Sequence, residues 1–195
     1  MNPATFNGLV WLIATVISLS LVAGSLEEED CRVGGEGVVV EMDECKMGKR
    51  KFHKGHHVEG VWIVGGIERT AEKIVFVCMV ADRTKETLHR VIERHVAPGS
   101  ILHTDMWKGY VGVEQLGFRH RTVNHAQTFK DPLSGTHTNT IEGFWNGLKI
   151  QIAPRSRVQD GMGGRLLEKV WRKRNRLDLW GGFIRAMRDT YYSFD

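Results

Sequence analysis

The chain has 195 residues, which is enough for one domain with a buried core. Its 27 Lys and Arg outweigh its 23 Asp and Glu, giving a mild formal net charge of +4. Its three cysteines form no C-x-x-C pair, which argues against a zinc ribbon or finger and against a disulfide-rich scaffold.

The chain begins with a hydrophobic leader. No charged residue occurs from Asn2 to Leu26, and an acidic run, Glu27–Asp30, follows. Such a leader is typical of a signal peptide or a marginal membrane span, but no Lys or Arg precedes it. A third alternative is sequence joined by accident to the domain. We therefore assign residues 1–30 to a leader plus acidic linker and residues 31–195 to one catalytic domain, and expect membrane contact only if the leader is a true span.

Three β-strands are predicted at the start of the domain. They cover Val38–Asp43, Val58–Glu68 and Lys73–Val80, with a basic loop or hairpin tip at Glu44–His57. In the second strand, Gly65 and Gly66 indicate a bulge or a close approach of another backbone. Strands in direct succession pair as an antiparallel meander.

Helices and strands alternate in the rest of the chain. Thr84 is the predicted N-cap of a helix that Pro98-Gly99 ends. The further predictions are a strand at Ser100–Thr104, a short helix at Trp107–Leu116, a strand at Phe118–Val123, a loop at Asn124–Thr136, a helix from Thr138 or Asn139, and helices at Leu166–Asn175 and Trp180–Met187. Helical crossovers add parallel strands, so we expect an α/β fold: a mixed five-stranded sheet, three strands antiparallel and two parallel, with helices on both faces.

Three acids carry the predicted chemistry. Asp43 and Asp105 each follow a β-like run, and Glu142 lies near the start of a predicted helix. Taken singly, the two Asp residues are more typical of turns at strand ends. Three carboxylates on two strand ends and a helix are nevertheless what a two-metal phosphoryl-transfer site needs.

Many short motifs, in order, resemble the ISXO2-like DDE transposase domain, and the resemblance covers about Gly34 to Met187. The matching runs are Val40–Glu44, Gly48–Lys51, Val58–Arg69, Asp82–Thr84, Ala97–Ser100, Thr104–Tyr110, Thr122–His125, Asp131-Pro132, His137–Glu142 and Trp171–Arg174. The resemblance implies a ribonuclease-H-like fold and metal-dependent cleavage and transfer of DNA strands. Its three acids fall on Asp43, Asp105 and Glu142, and the Asn of its last motif falls on Asn139.

The expected cofactor is a pair of Mg²⁺ or Mn²⁺ ions, and no small-molecule cofactor is expected. Asp43 would bridge the two ions, with Asp105 on one and Glu142 on the other. Asn139 would orient a water or a phosphate oxygen, and it is equally typical of a helix N-cap. Glu41 and Glu44, which flank Asp43, are predicted to face away from it into solvent.

DNA is the expected partner, as transposon ends or as target. Basic residues cluster at Lys46–His57 and Arg165–Arg188, although a basic run alone is more often a solvated surface. Trp107 or Trp145 could stack on a frayed base, but core packing is the commoner role of tryptophan. The predicted DNA-binding residues are Lys46, Lys49, Arg50, Lys108, Trp107, Lys149 and Arg172.

Two functions remain open from the sequence. The first is a transposon-derived enzyme that cleaves and joins DNA. The second is a catalytically inactive or domesticated relic that binds DNA or protein, because the zinc ribbon and recognition region of full-length relatives have no counterpart ahead of this domain. The resemblance also implies a homodimer and a nuclear or DNA-associated location. A functional leader would instead make the chain a secretory or membrane-tethered nuclease.

Overall fold

A five-stranded mixed β-sheet forms the centre of the fold. The structure is a computed structural model that describes residues 21–27, 29–48, 60–124, 136–153, 156–157 and 159–191. The strands of the sheet are β2 (Val39–Met47), β3 (Val61–Glu68), β4 (Val75–Val80), β6 (Ile101–Asp105) and β7 (Arg119–Val123). Two short strands, β1 (Val33–Gly34) and β5 (Val96–Ala97), form a separate parallel pair.

The strand order across the sheet is β4-β3-β2-β6-β7. β2 pairs antiparallel with β3, and β3 pairs antiparallel with β4. β6 joins β2 in parallel, and β7 joins β6 in parallel. Counted along the chain the order is 3-2-1-4-5, so the predicted mixed sheet of three antiparallel and two parallel strands is confirmed. Parallel neighbours need long crossovers, and the first of these contains a helix.

Four helices of 11 to 13 residues occur in the described part of the chain. They are α1 (Lys85–His95), α2 (Asn139–Gln151), α3 (Met162–Arg174) and α4 (Leu179–Tyr191). The Thr84 side chain accepts the N–H of Thr87, so its predicted role as the cap of α1 is confirmed. The single helix predicted over Trp107–Leu116 is wrong. Two 3-10 turns, Lys108–Tyr110 and Val113–Leu116, stand there, because Gly112 between them has a left-handed φ of 86°.

Side chains of alternate sheet residues pack into two separate cores. Cys45 and Met47 of β2 face a core that α2 and α3 complete. Val40 and Met42, on the other face of the same strand, lie in the core beside α1. α2 buries Ile141, Trp145 and Leu148, a spacing of four and three residues that places them on one helix face. Trp145 is therefore a core residue rather than a platform for DNA bases.

Several boundaries differ from the predictions. β2 continues to Met47, whereas we predicted a loop from Glu44, because β3 pairs with it up to Met47–Val61. The strands β1 and β5 were not predicted, since two residues carry no periodic signal. α2 begins at Asn139 with Thr138 as its N-cap, so Asn139 is not the cap.

Leu26 and Asp30, which belong to the predicted leader and linker, contact the domain. Leu26 packs against the core beneath α2 and α3. The Arg174 guanidinium at the end of α3 donates to the carbonyl of Asp30 at 2.6 Å and pairs with its carboxylate at 3.3 Å. Within the described residues, no helix has the length and apolar composition needed to cross a membrane.

Candidate functional site

Adjacent parallel strands carry the first two acids. Glu41 of β2 lies opposite His103 of β6, and continuing this register by two residues brings Asp43 opposite Asp105. Residues at the same level of neighbouring strands project from the same face of a sheet. Here that face is the one that α2 covers, because the Trp145 indole N–H donates to Asp43 Oδ2 at 3.1 Å.

The first turn of α2 brings the third acid to this face. The N–H of Glu142 bonds the carbonyl of Thr138, and Thr138 Oγ1 donates to Glu142 Oε1 at 3.0 Å. Glu142 and Asp105 are both near enough to raise the pKa of Asp43. The three acids predicted from sequence are therefore neighbours in the folded chain, although 62 and 37 positions separate them along it.

Asp43 lies in a strongly anionic environment. Burial, with smaller contributions from the charges of Glu44, Asp105 and Glu142, raises the pKa of its carboxyl from 3.8 to about 7. The hydrogen bond from the Glu44 N–H acts in the opposite direction. The charged groups with the largest effect on Asp43 are all carboxylates, so this cluster favours a cation.

The carboxylates are each turned toward a local donor. Trp145 holds Asp43, the Trp107 N–H donates to Asp105 Oδ1 at 2.9 Å, and Thr138 holds Glu142. In the described part of the chain, no three His, Cys, Asp or Glu side chains lie close enough together to hold a metal ion. The hard oxygen donors fit Mg²⁺ or Mn²⁺, but these side chains must rotate away from their local donors before they can share an ion.

The prediction that Glu41 faces solvent is wrong. It lies two residues before Asp43 on the same strand face and is 0% exposed. Its Oε2 accepts the N–H of Thr140 at 2.8 Å and of Ile141 at 3.2 Å. Since alternation in a strand places residues i and i+2 on one face, the sequence already carried this signal.

Glu44 faces away from Asp43, as predicted, but it is buried rather than solvated. Its side chain is 3% exposed, and its Oε2 lies 3.4 Å from Arg83 Nη1. Burial raises the pKa of Glu44, which the Arg83 charge and the neighbouring Tyr110 hydroxyl partly offset. The same burial, together with the negative charge of Glu44, raises the pKa of Tyr110 and keeps its hydroxyl neutral.

Arg83 is held between two tryptophan rings. Its guanidinium carbon lies 4.2 Å from the Trp62 ring centre and 3.9 Å from that of Trp107. The Trp107 indole N–H also donates to the Arg83 carbonyl. Because the Trp107 backbone holds Asp105, this stack supports one of the three acids from the opposite side of the sheet. Arg83 was not predicted as a site residue, although the quoted Asp82–Thr84 motif contains it.

The buried carboxylate of Glu41 has further polar neighbours. Arg69 Nε lies 3.5 Å and His137 Nδ1 lies 3.2 Å from its Oε1. Arg69 also contacts His103, which is 3% exposed. Burial, with the nearby charges of Arg69 and Arg121, lowers the pKa of His103 to about 4, so this ring is neutral at pH 7. None of these groups was predicted to belong to the site.

The predicted DNA-binding residues occupy separate places. Lys46 and Lys108 are exposed. The Lys46 Nζ lies 5.2 Å from the centre of the Trp62 ring, and the Lys108 Nζ lies 5.8 Å from the centre of the Trp107 ring. Lys149 is half-buried beside the Cys45 thiol. Arg172 pairs with Glu168 on α3 at 2.7 Å. Asn139 is exposed at the first residue of α2, and Lys49 and Arg50 lie outside the described residues.

Comparison with known proteins places these residues in a family context. The family model described as ISXO2-like transposase domain matches residues 22–153, which is more than half of the chain and includes all three acids. An uncharacterized transposase-like protein of Haemophilus influenzae is 31% identical over 78 residues, covering 40% of this chain and 62% of that protein. The crystal structure of the catalytic core domain of BIV integrase aligns with a TM-score of 0.43 and 15% identity, over 80% of this chain and 98% of that one.

Proposed function

Because this chain belongs to the ISXO2-like transposase domain family, we propose that it cleaves and joins DNA strands by phosphoryl transfer. The observation that carries the proposal is that Asp105 and Glu142 lie near enough to Asp43 for their charges to raise its pKa. The chain spans 62% of its transposase-like relative, so the activity is proposed for this domain and not inferred from that protein.

The three acids would hold two Mg²⁺ or Mn²⁺ ions, which stabilise negative charge on the attacking and leaving oxygens when they are bound. Asp43 must first lose the proton that its raised pKa retains near neutrality. Both oxygens of Asp43 accept hydrogen bonds, from the Trp145 indole and the Glu44 backbone, and one oxygen of Asp105 accepts from the Trp107 backbone. Asp43 would therefore have to turn away from at least one of these donors to hold an ion. Asn139, exposed one turn before Glu142, is proposed to orient a phosphate oxygen.

Nicking of supercoiled plasmid tests this function. We expect the full chain to nick plasmid in Mg²⁺ or Mn²⁺ but not in EDTA. The transition state of phosphoryl transfer carries negative charge, which carboxylates without bound cations cannot stabilise. Asp43→Ala and Glu142→Ala should each lower the rate by at least about 100-fold. Asp160→Ala removes an exposed acid of the α2–α3 connection and serves as the control. Nicking that persists in Asp43→Ala contradicts the proposal.

One observation favours a second candidate, a relic that binds DNA without cutting it. The acids are neighbours but do not form a ready three-ligand site among the described residues. This candidate predicts salt-sensitive DNA binding that is indifferent to EDTA, with no nicking in any divalent metal. The plasmid assay and a binding titration with EDTA therefore separate the two functions.

The proposed partner is DNA, engaged by a homodimer at a DNA-associated location in the cell. Light scattering of the chain with and without a DNA duplex measures the dimer. Fusion of residues 1–30 to a fluorescent reporter tests the competing secretory or membrane location. Membrane-bound or secreted fluorescence would favour a tethered nuclease, and diffuse fluorescence would dismiss that alternative.

A further inference from the structure

The N-terminus of α2 is capped by a side chain from the sheet. Thr138 is the N-cap residue, but its side chain makes no hydrogen bond to the free backbone N–H groups of the first turn. Its hydroxyl bonds Glu142 instead. The N–H groups of Thr140 and Ile141 donate to Glu41 Oε2, so the acceptor that a helix start needs comes from β2.

This cap joins the two elements that carry the first and third acids. Glu41 is two residues from Asp43 on β2, and Ile141 directly precedes Glu142 on α2. Thr140 Oγ1 adds a third bond, to Glu41 Oε1 at 2.8 Å. A displacement of the first turn would break these bonds and move Glu142 relative to Asp43.

Donor groups approach both oxygens of the Glu41 carboxylate in this position. The side chain is 0% exposed, and a buried carboxylate is costly without partners. Arg69 and His137 approach Oε1, and the positive end of the α2 dipole faces Oε2. These partners hold one carboxylate rotamer, so the cap is rigid as well as strong.

We propose that Glu41 is a positioning residue that sets the place of Glu142 relative to Asp43 and, through it, the affinity of the acid cluster for metal ions. Glu41 itself contacts no ion; it acts through the first turn of α2. The inference rests on the proposed function, because it assigns the support of the same site. Groups that orient metal ligands commonly change metal affinity by about 10-fold or more when they are replaced.

Thermal unfolding of the full chain in increasing Mn²⁺ tests the proposal without requiring catalysis. The measured quantity is the Mn²⁺ concentration that gives half of the maximal rise in Tm. Glu41→Gln keeps the size of the side chain but loses its charge and one acceptor oxygen. We expect this variant to need about 10-fold more Mn²⁺ than the wild type.

A milder pair of variants keeps the test decisive if Glu41→Gln does not fold. Thr140→Ala removes only the hydroxyl bond to Glu41 and should raise the half-saturating concentration by about 3-fold. Thr140→Ser retains that hydroxyl and should restore the wild-type concentration.

Glu68→Gln is the matched control. Glu68 is also a buried carboxylate near a strand end and is 7% exposed. Its Oε1 accepts the N–H of Gly34 at 2.7 Å, whereas Glu41 accepts N–H groups of α2. It should lower Tm as Glu41→Gln does and leave the half-saturating Mn²⁺ concentration unchanged. An equal change of that concentration in both variants, or none in Glu41→Gln and Thr140→Ala, overturns the positioning role.

The plasmid assay is kept separate from this titration. A wild-type chain that binds Mn²⁺ in a Glu41-dependent way but cuts no DNA overturns the proposed function and supports the positioning role. A wild-type chain whose Tm does not respond to Mn²⁺ overturns the positioning role, whatever its effect on plasmid.

Discussion

At the scale of single residues, the ionisation of Asp43 depends on the tertiary structure. A solvent-exposed aspartate has a pKa near 3.8, whereas burial among carboxylates raises the pKa of Asp43 to about 7. The folded state therefore binds a proton that the unfolded chain has lost. Without metal, this group opposes folding near neutral pH, which is a cost often found at functional sites.

The pKa of Asp43 predicts how its effect on stability varies with pH. A raised folded-state pKa means that the contribution to stability is complete below about pH 4 and is lost as pH rises to about 7. In EDTA, the stability of Asp43→Asn relative to the wild type should therefore increase by about 2 kcal/mol between pH 5.5 and pH 8.5. Urea unfolding at both pH values measures this change.

The control for this pH dependence is Asp160→Asn, which neutralises an exposed carboxylate away from the cluster. Its stability relative to the wild type should not vary between the two pH values. A constant difference for Asp43→Asn as well would mean that Asp43 is ionised in the folded state without metal.

At the scale of secondary structure elements, α2 packs closely on β3 because β3 has glycine at the contact. Gly65 is paired with Asp43 across the sheet. A Cβ at Gly65 would lie 2.7 Å from the Trp145 ring and 3.0 Å from Val77. The prediction of a bulge or a close backbone approach at Gly65-Gly66 is wrong: the strand pairing is unbroken, and the close neighbours are the side chains of Trp145 and Phe76. The missing side chain at Gly65 gives the Trp145 indole room to reach Asp43.

Gly65→Ala should lower the free energy of unfolding by about 1–3 kcal/mol, because the rings and strands around it are well packed. It should also displace Trp145 from Asp43, which changes the tryptophan fluorescence of the folded protein. Chemical denaturation measures the stability of the variant.

Gly147→Ala is the opposite case in the same helix–sheet pair. No atom lies within 4 Å of a Cβ added to Gly147, and the residue is inside α2. Alanine there should stabilise the protein by up to about 1 kcal/mol through helix propensity. Equal stability changes in the two glycine variants would refute close packing at Gly65.

At the scale of the whole molecule, two exposed lysines from distant parts of the chain lie at the two ends of one aromatic stack. Lys46 is on β2 and Lys108 on the turn after β6, and the Trp62–Arg83–Trp107 stack lies between them. Neither lysine is paired with a carboxylate among the described residues. They are therefore the best placed of the predicted phosphate contacts.

Lys46→Ala and Lys108→Ala should each weaken DNA binding at low salt and reduce the slope of log affinity against log salt by about 1. The reason is that each contact with a phosphate releases about one counterion. Titration of a duplex at several salt concentrations measures the slope. Arg185→Ala removes an exposed cation that pairs with Asp178 on α4 and should leave the slope unchanged. A slope equal to that of the wild type in both lysine variants contradicts this DNA contact.

Much of the fold followed from local patterns. Alternating β-branched residues predicted all five sheet strands to within a few residues, and Thr84 predicted the start of α1. The order of the short motifs indicated the family, which the family model confirms. The assignment of its three acids to Asp43, Asp105 and Glu142 stays a prediction. The strands β1 and β5 were missed, since pairs of two residues exist only through their tertiary contact.

The sequence by itself predicted the mixed sheet of three antiparallel and two parallel strands, indicated the family and proposed Asp43, Asp105 and Glu142 as site residues, because periodicity and motif spacing are properties of the chain. Only the tertiary structure decided that Glu41 is a buried cap, that Arg83 is stacked between Trp62 and Trp107, and that burial raises the pKa of Asp43 to about 7. The partners that these side chains contact lie 21 to 102 positions away along the chain. No local pattern records which partners such a side chain meets, because desolvation and pairing exist only once the sheet and α2 have packed together.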